Sequence, residues 1–179
     1  MINLPNTLAA FRVLLTPLMF FFLVERDSGM LAGIHTSWLN YFAALIFVIA
    51  SVTDFFDGYI ARAWNQQTKL GAILDPLADK MLTLAAFLGL MMIDMANAWA
   101  VFLILSREFF ITGLRIVAVS EGKDVSASAA GKLKTFAQII AIGFLMMDWP
   151  FGEALLWIAV ALTIYSGAQY VVAYFKSDS

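Results

Sequence analysis

Long apolar stretches alternate with short polar ones along the whole chain. A helix needs about 20 mainly apolar residues to cross the hydrocarbon core of a membrane, and strands with free edges cannot satisfy their backbone groups there. The sequence therefore predicts an all-α, polytopic membrane protein with six transmembrane helices. Their predicted ranges are Leu8–Val24, Leu39–Arg62, Ile73–Ile93, Trp99–Val119, Gly131–Met147 and Ala154–Phe175.

The composition agrees with a chain that has lipid as its solvent. Of the 179 residues, 62% are hydrophobic and 13% are charged, whereas a soluble domain has about 45–50% apolar and ~25% charged residues. The absence of cysteine excludes a disulfide framework, a thiolate metal site and a cysteine nucleophile. No Pro/Gly/Ser-rich linker or internal repeat divides the chain, so residues 1–179 are predicted to form a single integral-membrane domain.

The basic residues predict the orientation in the membrane. Lys and Arg accumulate on the cytoplasmic side of membrane proteins. If both termini are cytoplasmic, ten of the eleven basic residues fall on that side and only Arg26 falls outside. The N- and C-termini are therefore predicted to be cytoplasmic.

Four aspartates occur in the second and third predicted helices. Asp54 and Asp57 are three residues apart, and Asp75 and Asp79 are four apart, so each pair shares one face of its helix. The short polar connection between the helices makes them antiparallel neighbours, which brings the four carboxylates together near the cytoplasmic end. Charges at membrane depth are costly and usually paired or functional, and like charges repel.

Divalent metal would offset both of these costs. The ligands are hard oxygens without His or Cys, which favours Mg²⁺ or Mn²⁺. Two such ions, held by the four aspartates, would suit transfer of a group at phosphorus. A lone membrane aspartate could instead serve as a proton relay or in helix pairing, but four at this spacing favour a metal site.

Small residues accompany the aspartates. Gly58 and Ala61 lie on the same helical face as Asp54, and Gly71 is one turn before Asp75, so a bulky ligand can approach both helices. Arg62 supplies a planar, permanently charged donor for phosphate oxygens. Small residues in membrane helices also mediate close helix packing, so Gly58 or Ala61 alone would be weak evidence for a ligand site.

The combined pattern resembles the complete signature of the CDP-alcohol phosphotransferase family. It reads Asp54-x2-Asp57-Gly58-x2-Ala61-Arg62-x8-Gly71-x3-Asp75-x3-Asp79. Beyond the signature, the chain resembles the bacterial phosphatidylglycerophosphate synthases of that family over nearly its whole length. The segments that carry this second resemblance are Pro5-Asn6-Thr7 with Arg12, Ser106–Arg115 and Gly131–Thr135.

The resemblance implies a role for each residue of the signature. Asp54, Asp57 and Asp75 would bind metal, and Asp79 would both contact the second metal and act as general base. The CDP-lipid would pack around Gly58, Ala61, Arg62 and Gly71.

The implied reaction transfers the phosphatidyl group of CDP-diacylglycerol to sn-glycerol 3-phosphate, giving phosphatidylglycerophosphate and CMP. The resemblance also implies a homodimer in a bacterial inner membrane, with its active site facing the cytoplasm. The expected partners are the two substrates and membrane lipids, and no nucleic acid is expected.

A group of basic residues predicts where the acceptor phosphate binds. Arg107 and Arg115 are eight residues apart, close to two full turns, and so lie roughly on one helical face. Lys132 and Lys134 begin the next predicted helix, within reach of that face. These residues could instead anchor the protein to anionic headgroups. That alternative fits Arg107 poorly, because it precedes Glu108 inside an apolar run.

Three other functions remain as alternatives at this stage. A related enzyme could use another acceptor, such as inositol phosphate, serine or another phosphatidyl group. A cation- or proton-coupled transporter would show acids dispersed over several helices and broken-helix repeats, whereas here the acids cluster and no repeat is seen. A structural membrane subunit would not explain four aspartates.

Overall fold

The protein is all-α over the residues that the structure describes. This computed structural model describes residues 4–26, 30–31, 33–63, 69–123 and 129–176, except for the side chains of residues 4–6, 54–63, 69–76 and 79. These ranges contain helices and no strand. The helices are α1 (Leu4–Val24), α2 (Thr36–Ala63), α3 (Lys69–Met92), α4 (Ala98–Ser120), α5 (Ala129–Met146) and α6 (Gly152–Lys176).

Within the described ranges, six helices are found where the sequence predicts helices, with small differences at their ends. The largest difference at a helix start is in α1 and α3, which begin at Leu4 and Lys69 rather than at Leu8 and Ile73. Proline at position 5 is compatible with the early start of α1, because the first helical N–H groups have no intrahelical partner to lose.

Among the residues that the structure describes, four helices are long and apolar enough to cross a membrane by length and composition. They are α1, α2, α5 and α6. Helix α4 carries Arg107 and Glu108 near its middle and Arg115 about two turns later, and the first half of α3 carries Asp75, Asp79 and Lys80. The chain is thus a helical membrane protein.

The contacts divide the chain into two compact units, the first of which contains α1, α2 and α3. Helix α1 packs against both α2 and α3, and these two also contact each other. Gly89 of α3 lies directly against Leu23 of α1, where an added Cβ would be only 2.6 Å from Leu23 Cδ2. A larger residue at position 89 would force the Leu23 side chain to shift.

The second unit contains α4, α5 and α6. Helix α4 packs along α6, and α5 is tied to α6 by a buried hydrogen bond in which Gln138 Nε2 donates to Thr163 Oγ1 at 2.9 Å. Buried apolar side chains from all three helices, including Ile104, Ile142 and Leu156, form its core.

Helix α4 ends in a glycine-capped turn at Gly122. Gly122 has a φ of 74°, in the left-handed region that glycine adopts without strain. The N–H of Lys123 then donates to the carbonyl of Ala118 at 2.9 Å, which satisfies a carbonyl in the last turn, as in a Schellman motif. This turn fixes where the chain leaves α4 and so positions Glu121 and Lys123.

Candidate active site

The predicted metal and CDP-lipid residues all lie on two helices of the first unit. The signature residues on α2 and α3 have helical backbones, so the predicted i, i+3 and i, i+4 spacings place each aspartate pair on one helical face. The side chains of these signature residues are not among those that the structure describes. On α2 they are Asp54, Asp57, Gly58, Ala61 and Arg62, and on α3 they are Gly71, Asp75 and Asp79.

The described side chains contain no group of three or more His, Asp or Glu residues that could hold a metal ion. The four aspartates of α2 and α3 lie outside those side chains, and the chemistry of four carboxylates fits a hard divalent cation. Carboxylate oxygens are the ligands that Mg²⁺ and Mn²⁺ prefer. The metal-binding role of these residues stays a prediction.

The structure adds Arg12 to the residues of interest in the first unit. Arg12 of α1 is 0% exposed and is one of the largest fully buried side chains among the described residues. A buried guanidinium needs a compensating negative charge. The only carboxylates in the sequences of α1, α2 and α3 are the four aspartates. The predicted site did not include Arg12, although a charge within an apolar helix is a signal that the sequence contains.

Arg107 is held against α6 in the second unit. Its side chain is 15% exposed, and Nη1 lies 3.3 Å from Glu108 Oε1, while Nη2 donates to Ser166 Oγ at 2.9 Å. The rest of the side chain lies against Gly167, where an added Cβ would be 2.9 Å from Arg107 Nε and 3.2 Å from Cγ. The arginine can lie this close to α6 because residue 167 has no side chain.

Glu108 joins two of the predicted acceptor-site cations. Its Oε1 accepts from Arg107 on α4 and also pairs with Lys134 Nζ on α5. Lys134 is 8% exposed, and a lysine so deeply buried is normally paired. One carboxylate therefore orients two cations and leaves a net positive charge at this site.

Arg115 also contacts α6, through an aromatic ring. Its Cζ is 5.6 Å from the centroid of Tyr170, within the range of a cation–π interaction. Arg107 and Arg115 thus both contact α6, as residues on one face of α4 would. Their proposed role in binding the acceptor phosphate is not tested by these contacts and stays a prediction.

The two predicted lysines of α5 have different surroundings. Lys134 is buried, whereas Lys132 is exposed. Two residues apart in an α-helix corresponds to a rotation of about 200°, so the side chains leave the helix in nearly opposite directions. The structure therefore brings Arg107 and Lys134 together at Glu108 but does not place Lys132 in that cluster.

A second charged group lies at the end of α4. Lys123 Nζ is 2.7 Å from Glu121 Oε2 and 4.3 Å from the ring centroid of Tyr174 on α6. The Tyr174 hydroxyl donates to the same Glu121 oxygen at 2.8 Å. These three residues connect the turn after α4 to the last part of α6.

Helix α6 has a hydroxyl-bearing face that the predicted site did not include. Four buried residues on this face carry hydroxyl groups and are spaced three or four positions apart, which is the spacing of one helical face. They are Thr163, Ser166, Tyr170 and Tyr174. The signal was present in the sequence, as polar residues at a helical period within an apolar helix.

The chain is similar in sequence to known proteins over most of its length. The family model described as CDP-alcohol phosphatidyltransferase matches residues 2–165. The CDP-diacylglycerol–glycerol-3-phosphate 3-phosphatidyltransferase of Bacillus subtilis (strain 168) is 44% identical, covering 95% of this chain and 94% of the relative. Proteins of the same name from Rickettsia typhi and Escherichia coli (strain K12) are 38% and 40% identical, each covering 96% of this chain and, respectively, 96% and 94% of the relative.

Replacing Gly167 with alanine tests the contact between Arg107 and α6. We expect Gly167→Ala to lower the stability by about 1–3 kcal/mol, because the new Cβ must displace a side chain held by Ser166 and Glu108. The measurement is the thermal unfolding midpoint in detergent. Gly113→Ala on α4 is the matched control: an added Cβ there has no atom within 4 Å, so the midpoint should stay or rise slightly. Equal midpoints for the two variants would contradict the packing described.

Proposed function

Because the chain belongs to the CDP-alcohol phosphatidyltransferase family, we propose that it transfers the phosphatidyl group of CDP-diacylglycerol to sn-glycerol 3-phosphate. The products are phosphatidylglycerophosphate and CMP. The observation that carries this proposal is the near-full-length similarity to relatives whose names state this donor and acceptor. The described relatives name no other acceptor, which disfavours inositol phosphate and serine.

In the proposed reaction a hydroxyl oxygen of glycerol 3-phosphate attacks the lipid-side phosphorus of the CDP-lipid. The bond from that phosphorus to the CMP oxygen breaks, and CMP leaves. The attacking hydroxyl has a very high pKa and needs a base within hydrogen-bonding reach. We assign this role to Asp79, which would take the hydroxyl proton.

The four aspartates on α2 and α3 would hold two divalent ions, Mg²⁺ or Mn²⁺. Asp54, Asp57 and Asp75 would serve as ligands, and Asp79 would contact the second ion. When bound, the ions would neutralise charge on the phosphates and orient the leaving group. The helical backbone across both pairs and the all-oxygen donor set support this assignment.

The CDP-lipid site would lie on the same two helices. Gly58 and Ala61 share the face of Asp54 on α2, and Gly71 precedes Asp75 by one turn on α3, so their small side chains leave room for the nucleotide. Arg62 would donate to phosphate oxygens. Buried Arg12 on α1 would offset part of the aspartate charge.

The acceptor phosphate would be held by Arg107, Arg115, Lys132 and Lys134. The support is electrostatic: at Glu108 two cations share one carboxylate, and Arg115 adds a third positive charge on the same face of α4. An anionic acceptor would offset this excess. Lys132 is the weakest member, because it is exposed and turned away from Lys134.

In the cell, this function implies a bacterial inner-membrane protein. We propose that all six helices cross the membrane, that both termini are cytoplasmic and that the chain forms a single domain and a homodimer. The charges of α4 are compatible with a membrane span, because Arg107, Glu108 and Arg115 are each paired or stacked within the second unit.

An acceptor assay tests the proposed function. Detergent-solubilised protein with CDP-diacylglycerol and labelled glycerol 3-phosphate should form a labelled lipid and an equal amount of CMP. Serine and inositol phosphate serve as control acceptors. Turnover should disappear in excess chelator and return with Mg²⁺ or Mn²⁺, because the clustered aspartates need a counter-charge. Full turnover in chelator, or turnover only with a control acceptor, would refute the proposal.

The variant Asp79→Asn tests the general base. An amide cannot take the hydroxyl proton, so we expect kcat to fall by roughly 10²–10⁴-fold while affinity for CDP-diacylglycerol changes little. Asp148→Asn is the control, because Asp148 is exposed in the connection after α5 and should keep normal turnover. Near-normal turnover of Asp79→Asn would show that the base is another group.

The variant Arg107→Lys tests the acceptor site. A lysine keeps the charge but cannot form the forked contacts of a guanidinium. We expect KM for glycerol 3-phosphate to rise by roughly tenfold or more, with little change in KM for CDP-diacylglycerol. Lys176→Gln, at the exposed end of α6, should change neither constant. If both constants rise together in Arg107→Lys, or neither changes, the arginine does not bind the acceptor.

A further inference from the structure

Tyr170 has a buried hydroxyl without a hydrogen-bond partner. The residue is 8% exposed, and no described protein group lies within hydrogen-bonding distance of its hydroxyl oxygen. Two other tyrosines of α6 differ in this respect. The Tyr174 hydroxyl donates to Glu121 Oε2 at 2.8 Å, and the Tyr165 hydroxyl accepts from Gln169 Nε2 at 2.8 Å.

The hydroxyl of Tyr170 is not needed for the contacts that its ring makes. A phenylalanine ring would fill the same space and would also stack under Arg115, since a cation–π interaction requires only the aromatic face. A buried hydroxyl without a partner lowers the stability of the folded protein. Its presence at this position therefore points to a partner that the described parts of the chain do not supply.

The surroundings of Tyr170 indicate the chemistry of that partner. The guanidinium of Arg115 lies over its ring. One turn earlier on α6, Ser166 holds Arg107, which shares Glu108 with Lys134. A hydroxyl donor beside an excess of positive charge is suited to the oxygen of an anion, because hydrogen bonds to charged acceptors are stronger than neutral ones.

We propose that the Tyr170 hydroxyl donates a hydrogen bond to the phosphate of the acceptor, beside Arg115. This inference rests on the proposed function and adds α6 to the acceptor site. Tyr170 would discriminate a phosphorylated alcohol from an unphosphorylated one, because only the phosphate pairs the buried hydroxyl. An oxygen of the CDP-lipid diphosphate could accept the same hydrogen bond. The experiment distinguishes the two acceptors by measuring KM for each substrate.

The variant Tyr170→Phe tests the proposal, with Tyr174→Phe as the matched control. Each removes one hydroxyl from an equally buried tyrosine of α6. For Tyr170→Phe we expect KM for glycerol 3-phosphate to rise roughly tenfold, KM for CDP-diacylglycerol to stay constant, and the thermal midpoint without substrate to stay or rise. For Tyr174→Phe the midpoint should fall, because the hydrogen bond to Glu121 is lost, while both KM values stay constant.

Ligand protection gives a second readout that does not depend on turnover. Glycerol 3-phosphate, but not glycerol, should raise the thermal midpoint of the unaltered protein, and this rise should be much smaller in Tyr170→Phe. If the unaltered protein neither turns over nor is protected by glycerol 3-phosphate, the proposed function fails. If it does both and Tyr170→Phe behaves identically, only the role of Tyr170 is refuted. A rise in KM for CDP-diacylglycerol instead would assign the hydroxyl to the donor.

Discussion

Charged side chains inside apolar helices determine how α4, α5 and α6 pack against one another. Lipid does not solvate a charge, so each one must be compensated within the protein. Helix α4 meets this requirement through its neighbours. Glu108 pairs with Arg107 and with Lys134 of α5, and Arg115 stacks on Tyr170 of α6. The packing of the second unit is therefore set by polar contacts as well as by its apolar core.

Helix α6 provides the surface that the charged face of α4 contacts. Arg107 contacts two adjacent residues of α6. Gly167 leaves room for the arginine side chain, and Ser166 Oγ accepts a hydrogen bond from the guanidinium. The same face continues to Tyr170 and Tyr174. Small residues in membrane helices often let two backbones approach, but here the glycine admits an arginine.

The acidic and basic groups that are proposed to bind the substrates lie in different units. The first holds four aspartates on α2 and α3, and the second holds an excess of cations on α4 and α5. This division suits the two proposed substrate groups: carboxylates bind the metal ions that accompany a diphosphate, and guanidinium groups bind a phosphate directly. Neither chemistry needs a cysteine or a histidine. The only histidine, His35, is exposed just before α2.

The helical segments and the residues of the signature can be predicted from the sequence. Apolar runs predict helices because lipid enforces backbone pairing within each segment, and spacing within one helix predicts which aspartates share a face. Such patterns do not specify which helix covers a face. Only the tertiary structure showed that Glu108 joins Arg107 to Lys134 and not to Lys132, and that Arg107 meets Ser166, 59 positions away. Those partners depend on how separate helices pack, which no local periodicity contains.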